Sequence, residues 1–142
     1  MPKDPNCIFC KIAAGDVPSA RIAESPLAVA FLDVGPIATG HALIVPREHY
    51  RTIDDAPPEQ VAAVFAMAAR VASALKRALG AEGVNVLQNN GRCAGQVVPH
   101  MHVHVIPRRE GDGINWPWPA AEADPQVLEQ LARTIISNLD AR

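Results

Sequence analysis

The sequence predicts an α+β domain: a five-stranded antiparallel sheet with one long central helix and short helices near the two ends. Three observations carry that reading. Five short apolar runs are separated by proline- or glycine-bearing turns. One stretch of helical periodicity, opened by Pro57-Pro58 and stopped by Gly80, is much longer than the rest. Strands and helices also fail to alternate strictly, which argues against a parallel sheet built of βαβ units.

The elements follow in chain order. Residues 7–14 (CIFCKIAA) form a short helix closed by Gly15. Strands are expected over 20–23 and 27–33 around a turn at Glu24-Ser25-Pro26, and over 41–46, where Pro46 ends the run. Asp54 or Asp55 is placed to cap the long helix, and Pro57-Pro58 suits its first turn. Val61, Val64, Phe65, Ala68, Val71, Ala72 and Leu75 then recur at helical spacing. Residues 84–88 form a strand broken by Asn89-Asn90-Gly91, and residues 100–106 another, between Pro99 and Pro107. A loop rich in Gly, Pro and Trp (107–123, with Trp116 and Trp118) leads to a last helix starting at Asp124-Pro125. That helix carries Val127, Leu128, Leu131, Ile135 and Leu139 on one face. No linker divides the 142 residues, so a single domain, 1–142, is expected.

Composition narrows the function. Half the chain is apolar (49%), enough for a core without disulfide staples. A formal net charge of -2 argues against a nucleic-acid partner, which needs a basic face. Three cysteines, with Cys7 and Cys10 in a C-x-x-C pair and Cys93 apart, do not make a secreted disulfide framework. No apolar run reaches the 18 residues of a membrane span, and the N-terminus lacks a leader-like apolar stretch. The cytoplasm, without membrane attachment, is the expected compartment.

The five histidines carry the chemistry. Three fall within HMHVHVI: His100, His102 and His104. In a strand they share one face about 7 Å apart per two-residue step, while Met101, Val103 and Val105 face the core. Imidazole titrates near neutrality, donates, accepts and attacks phosphorus. A row of three can hold one as nucleophile while its neighbours fix its tautomer and bind phosphate oxygens. H-x-H pairs also chelate Zn, Fe or Mn, and spacing alone does not separate the two uses.

HMHVHVIPR resembles the histidine-triad (HIT) motif, in which three histidines alternate with apolar residues. The likeness extends to Phe31-Leu32-Asp33 with Gly40-His41-Ala42-Leu43-Ile44-Val45-Pro46, and to Gln88-Asn89-Asn90-Gly91 with Ala94-Gly95-Gln96. Three blocks in order make the resemblance specific. It implies a nucleotide hydrolase that cleaves at the α-phosphate of an adenylate or other purine nucleotide through a nucleotidyl-histidine intermediate. Its substrate would be a phosphoramidate, an acyl nucleotide or a dinucleoside polyphosphate. His102 matches the nucleophile, His104 the residue that contacts phosphate and assists the leaving group, and His41 the earlier histidine that supports the nucleophile's orientation. Asn89 and Gln96, with backbone amides near Val97, match phosphate binders. Asp33 matches the carboxylate on the ribose hydroxyls, and Ile8, Phe9, Ile12 and Val34 match apolar positions around the base.

The resemblance reaches further, to the bacterial zinc-containing Hint-like branch. There a C-x-x-C pairs with a histidine after a Pro-x-x-His turn and with the first triad histidine. These are Cys7, Cys10, His49 and His100 here, a closed tetrahedral set of the structural kind. The chemistry would then need no metal. The resemblance also implies a homodimer with a long helix and a strand edge from each copy at its interface. Two features depart from relatives. Val97 stands where eukaryotic Hint-type members carry a serine, and His104 replaces the glutamine of the nucleotidyl-transferase branch, which favours hydrolysis. Two other readings compete: a metal-dependent hydrolase with His100, His102 and His104 as ligands, and a nucleotide-binding protein whose catalysis is incidental.

Overall fold

A computed structural model describes residues 3–115 and 118–140. Its elements are α1 (Ile8–Ala14), β1 (Arg21–Glu24), β2 (Ala28–Leu32), β3 (Ala42–Pro46), α2 (Pro58–Leu79), β4 (Gly83–Gln88), β5 (Val103–Arg108) and α3 (Pro125–Asn138). Single 3₁₀ turns cover Ile53–Asp55 and Arg92–Ala94. The five strands form one sheet in the order β1-β2-β3-β5-β4, antiparallel at every pairing. The expected fold class is the observed one.

The sheet is covered on both faces, and alternation decides what goes where. Ala28, Ala30, Ala42, Ile44, Met101, Val103 and Val105 point toward Val64, Met67, Ala68, Val71 and Leu75 of α2. Val29, Phe31, Leu43 and Val45 point the other way, toward Cys7, Phe9, Cys10, Ile12 and Ala13 of α1. Each fully buried apolar side chain of this size contributes about 1.5–3 kcal/mol over the exposed state. The α2 layer is therefore the main stabilising contact. The smaller α1 layer brings the chemistry-bearing residues together.

Several boundaries differ from the sequence reading. The last strand begins at Val103, not at residue 100. Residues 100–102 satisfy their backbone elsewhere, with Met101 N–H donating to the Tyr50 carbonyl at 2.6 Å and His100 N–H to that of Val98 at 2.9 Å. Their side chains nonetheless keep the strand alternation: Met101 is fully buried on the α2 face. Neither Asp54 nor Asp55 caps α2. Both are taken up in the 3₁₀ turn, the N-cap is Pro57, and Pro58 opens the helix. Phe65, expected on the core face of α2, is 37% exposed. Asp124 does cap α3, accepting from Gln126 N–H at 2.9 Å. The apolar face of α3, from Val127 to Leu139, lies open to solvent. Trp118 is exposed, and Trp116 lies outside the described residues.

Candidate active site and metal centre

The loop from β2 to β3 aims two functional residues. Asp33 N–H donates to the His41 carbonyl at 2.9 Å, closing the loop at its base. Gly40 sits there at φ +92°. A Cβ at that position would collide with Leu79 and press on Leu75 and Pro107, so only glycine lets the chain pass under the end of α2. His41 is buried as a result, while Asp33 stays half-buried at the rim. Asp33 Oδ1 accepts from Gly35 N–H at 2.8 Å. Its Oδ2 lies 3.6 Å from His41 Nε2. Asp33 is thus a turn residue and a functional candidate at once.

The triad histidines have distinct surroundings. His102 is 5% exposed. Its Nδ1 lies 2.7 Å from the carbonyl of His100. A carbonyl only accepts, so the proton is on Nδ1 and the lone pair on Nε2. The rings of Phe9 and His102 meet edge to face at 5.0 Å. His104 pairs across the sheet with Leu43 and Leu87. Its Nδ1 lies 2.9 Å from His41 Nε2. Burial lowers the proton affinity of all three below the ordinary histidine value of 6.5, His104 to about 4. They are neutral at physiological pH, the state a nucleophile and a hydrogen-bond donor need.

A cavity of roughly 510 Å³ opens beside these rings. Ile8, Phe9, Ile12, Asp33, Val34, Val97, His102 and His104 line it, as the family likeness implies. So do Phe31 and Leu43, which lie in the matched blocks without an assigned role, and Pro18, Ser19 and Val98, for which no motif gave a signal because ordinary core and loop types fill those positions. Val34 and Val97 are exposed apolar residues at its mouth. His41 stands behind His104 rather than in the wall. Two expected phosphate binders sit differently. The Gln96 carboxamide is buried. It donates to the carbonyls of Arg51 (2.6 Å) and Val98 (3.1 Å), and accepts from Gly91 N–H (2.8 Å). Both its amide protons are spent, so its side chain clamps the 91–98 loop. The Asn89 side chain packs against Gly95, outside the cavity wall.

On the other side of Phe9, four ligand atoms converge. Cys7 Sγ lies 3.3 Å from His100 Nδ1, and Cys10 Sγ lies 3.4 Å from His49 Nδ1 and 3.5 Å from His100 Nδ1. The two Nδ1 atoms are 3.2 Å apart. A tetrahedron with zinc-like bond lengths has edges of about 3.3–3.8 Å, so the set fits a closed four-coordinate metal. His100 Nε2 donates to the Pro46 carbonyl at 2.9 Å, which leaves Nδ1 as the free ligand nitrogen. The thiols are not joined in a disulfide. Phe9 contacts His100 at 6.0 Å and His102 at 5.0 Å, so the helix that would hold the metal is also the cavity wall.

A second group, Asp33, His41 and His104, also brings potential ligand atoms within 4.8 Å of one another. Among the described residues, His100 and His104 fall in different groups and His102 in neither. The geometry therefore disfavours a metal held jointly by the three triad histidines.

This fold and site define a class: a small α+β domain with a histidine cluster beside a nucleotide-sized apolar cavity. The HIT domain family model matches residues 14–111, and the chain belongs to that family. It is 40% identical over 135 residues to the adenosine 5'-monophosphoramidase hnt1 of Schizosaccharomyces pombe, covering 94% of this chain and 98% of that protein. A crystal structure from Streptococcus mutans matches with a TM-score of 0.92 at 38% identity, over 97% of this chain and 88% of the other. A Zn-bound histidine triad family protein from Mycobacterium smegmatis matches with a TM-score of 0.75 at 37% identity, over 96% of each chain.

Proposed function

We propose that this protein hydrolyses adenylate or other purine nucleotides substituted at the α-phosphate, with His102 Nε2 as nucleophile. The observation that carries the reading is the His102 tautomer: the His100 carbonyl holds the proton on Nδ1 and leaves a bare Nε2 on the cavity wall. The likeness to an adenosine 5'-monophosphoramidase supports adenosine 5′-phosphoramidate as the test substrate. The base lies among Ile8, Phe9 and Ile12, and the Asp33 carboxylate takes the ribose hydroxyls. Nε2 attacks phosphorus, the leaving group departs with the bonding pair and a proton from His104 Nε2, and an adenylyl-histidine forms; the water of the second step returns that proton. Water then cleaves the P–N bond, releasing AMP and restoring His102. The amides of Gly95 and Gln96 are spent on the carbonyls of Arg92 and Gly91, so the backbone amide of Val97 and the His104 ring face the nonbridging oxygens as charge builds there. Val97 has no hydroxyl, so any role for a side chain at that end of the site falls to His104.

Cys7, Cys10, His49 and His100 hold zinc as a scaffold; the donor chemistry and the Zn-bound relative support this assignment. The metal, when bound, fixes α1 against the segment before β5 that carries the nucleophile, and no step uses it as a Lewis acid. A homodimer is the expected assembly. Phe65 on α2, Val86 on the edge strand β4 and the apolar face of α3 are the exposed surfaces a second copy would cover. The cytoplasm is the proposed compartment; no helix among the described residues is long and apolar enough to cross a membrane.

The test is AMP release from adenosine 5′-phosphoramidate by the wild type and by His102→Ala. The variant should lose at least about 10³-fold in kcat/KM while keeping its fold. An unimpaired variant would remove His102 from the mechanism. Inactivity of the metal-replete wild type would leave the nucleotide-binding reading.

A further inference from the structure

The loop between β2 and β3 does more than deliver His41. Its amides are committed one by one: Gly35 N–H to Asp33 Oδ1 (2.8 Å), His41 N–H to the Ala38 carbonyl (2.9 Å), Asp33 N–H to the His41 carbonyl (2.9 Å). The amide of Ile37 meets a ring nitrogen, His41 Nδ1, at 3.1 Å. A main-chain N–H can only donate, so the nitrogen it meets must carry a lone pair. A neutral imidazole with a bare Nδ1 holds its proton on Nε2. That Nε2 lies 2.9 Å from His104 Nδ1, which must then accept, leaving the His104 proton on its own Nε2. Three groups thus form one directed chain, from a backbone amide through two rings to the cavity wall.

We propose that the main-chain N–H of Ile37 is a positioning group that fixes the tautomers of His41 and, through it, of His104, so that His104 presents an Nε2–H donor to the phosphate. The consequence for phosphate rests on the hydrolase reading above; the tautomers exist without substrate. Two further observations agree. The Ile37 side chain is 50% exposed, so the position acts through its backbone. The chain also disqualifies the second potential metal group. A cation on His41 Nε2 would force the proton onto Nδ1, facing another N–H. Asp33, His41 and His104 therefore make a hydrogen-bonded relay where Cys7, Cys10, His49 and His100 make a metal site.

Long-range ¹H–¹⁵N correlation spectra of the zinc-replete enzyme near neutral pH read the tautomers directly. Protons on Nε2 of both His41 and His104 are expected; a proton on Nδ1 of either overturns the proposal. Ile37→Pro removes the donor and should mix the His41 tautomers. It should also lower kcat about three- to tenfold, the worth of one neutral hydrogen bond, with KM nearly unchanged. Ile37→Ala keeps the amide and should keep the wild-type spectrum. Unchanged tautomers in a folded Ile37→Pro, or altered ones in Ile37→Ala, contradict the assignment. Should the proline variant fail to fold, the wild-type and alanine spectra decide. The predicted tautomers in an enzyme that releases no AMP would sink the hydrolase reading and leave the tautomer lock standing.

Discussion

His100 and His102 sit two residues apart on one face of the same segment, yet the structure gives them opposite tautomers. His100 spends Nε2–H on the Pro46 carbonyl and turns Nδ1 toward two thiols and a second imidazole. His102 spends Nδ1–H on the His100 carbonyl and keeps Nε2 bare at the cavity. Identical side chains thus become suited to the two proposed roles, metal ligand and nucleophile, according to which ring nitrogen a backbone carbonyl claims. In the proposed reading the first cluster holds α1 in place and the second performs the chemistry; Phe9 stands between them.

That division can be broken from either side. The largest effect is expected at His102: His102→Ala should abolish turnover by at least about 10³-fold and leave zinc content and Tm near wild type. The mirror experiment is Cys10→Ser. Metal analysis should show zinc lost, and Tm should fall by about 10 °C or more, because a structural metal contributes its binding energy to folding. Protein that remains folded should keep a measurable kcat but bind nucleotide more weakly, since Ile8, Phe9 and Ile12 move with α1. A Cys10→Ser enzyme with full stability would dissolve the distinction between the clusters.

Smaller effects sharpen it. Asp33→Asn should raise KM for the ribonucleotide about 10- to 100-fold, the worth of a hydrogen bond to a charged group. It should hardly affect the 2′,3′-dideoxy substrate, and an equal loss on both would remove Asp33 from the ribose. Gly40→Ala should destabilise by roughly 1–3 kcal/mol through positive φ and the clash with Leu79, measurable by urea unfolding. The mildest prediction concerns pH. His104 has a folded pKa of about 4 against an ordinary 6.5, and His41 and His102 shift the same way. Because the folded values are lowered, kcat/KM should be level through neutrality and fall only as pH drops below 6.5. The stability that neutral His104 contributes is likewise complete above 6.5 and lost as pH falls toward 4. A midpoint of activity above 7 would contradict buried, neutral rings.

Much of this was legible in the sequence. Period-2 alternation put Met101, Val103 and Val105 on the α2 face and the three histidines on the other. Helical spacing found α2, and prolines and glycines marked most ends. What spacing could not give was the partner of each ring nitrogen. Cys7 and His100 are 93 residues apart, and the carbonyl of Pro46 has no signature. Gln96 illustrates the same limit: its place beside a glycine loop resembles a phosphate binder, while its carboxamide is consumed by Arg51, Val98 and Gly91. Asp54 and Asp55 resemble helix caps, but a 3₁₀ turn competes for them.

The central claim is that Nε2 of His102 becomes bonded to phosphorus. Rapid acid-free quenching of the enzyme with adenosine 5′-phosphoramidate, followed by peptide mass spectrometry, tests it directly. The account predicts one adenylyl group on the peptide carrying His102, absent from His102→Ala. Steady AMP release by the wild type with no adduct at any quench time, alongside an adduct that survives in a chemically prepared standard, would contradict it.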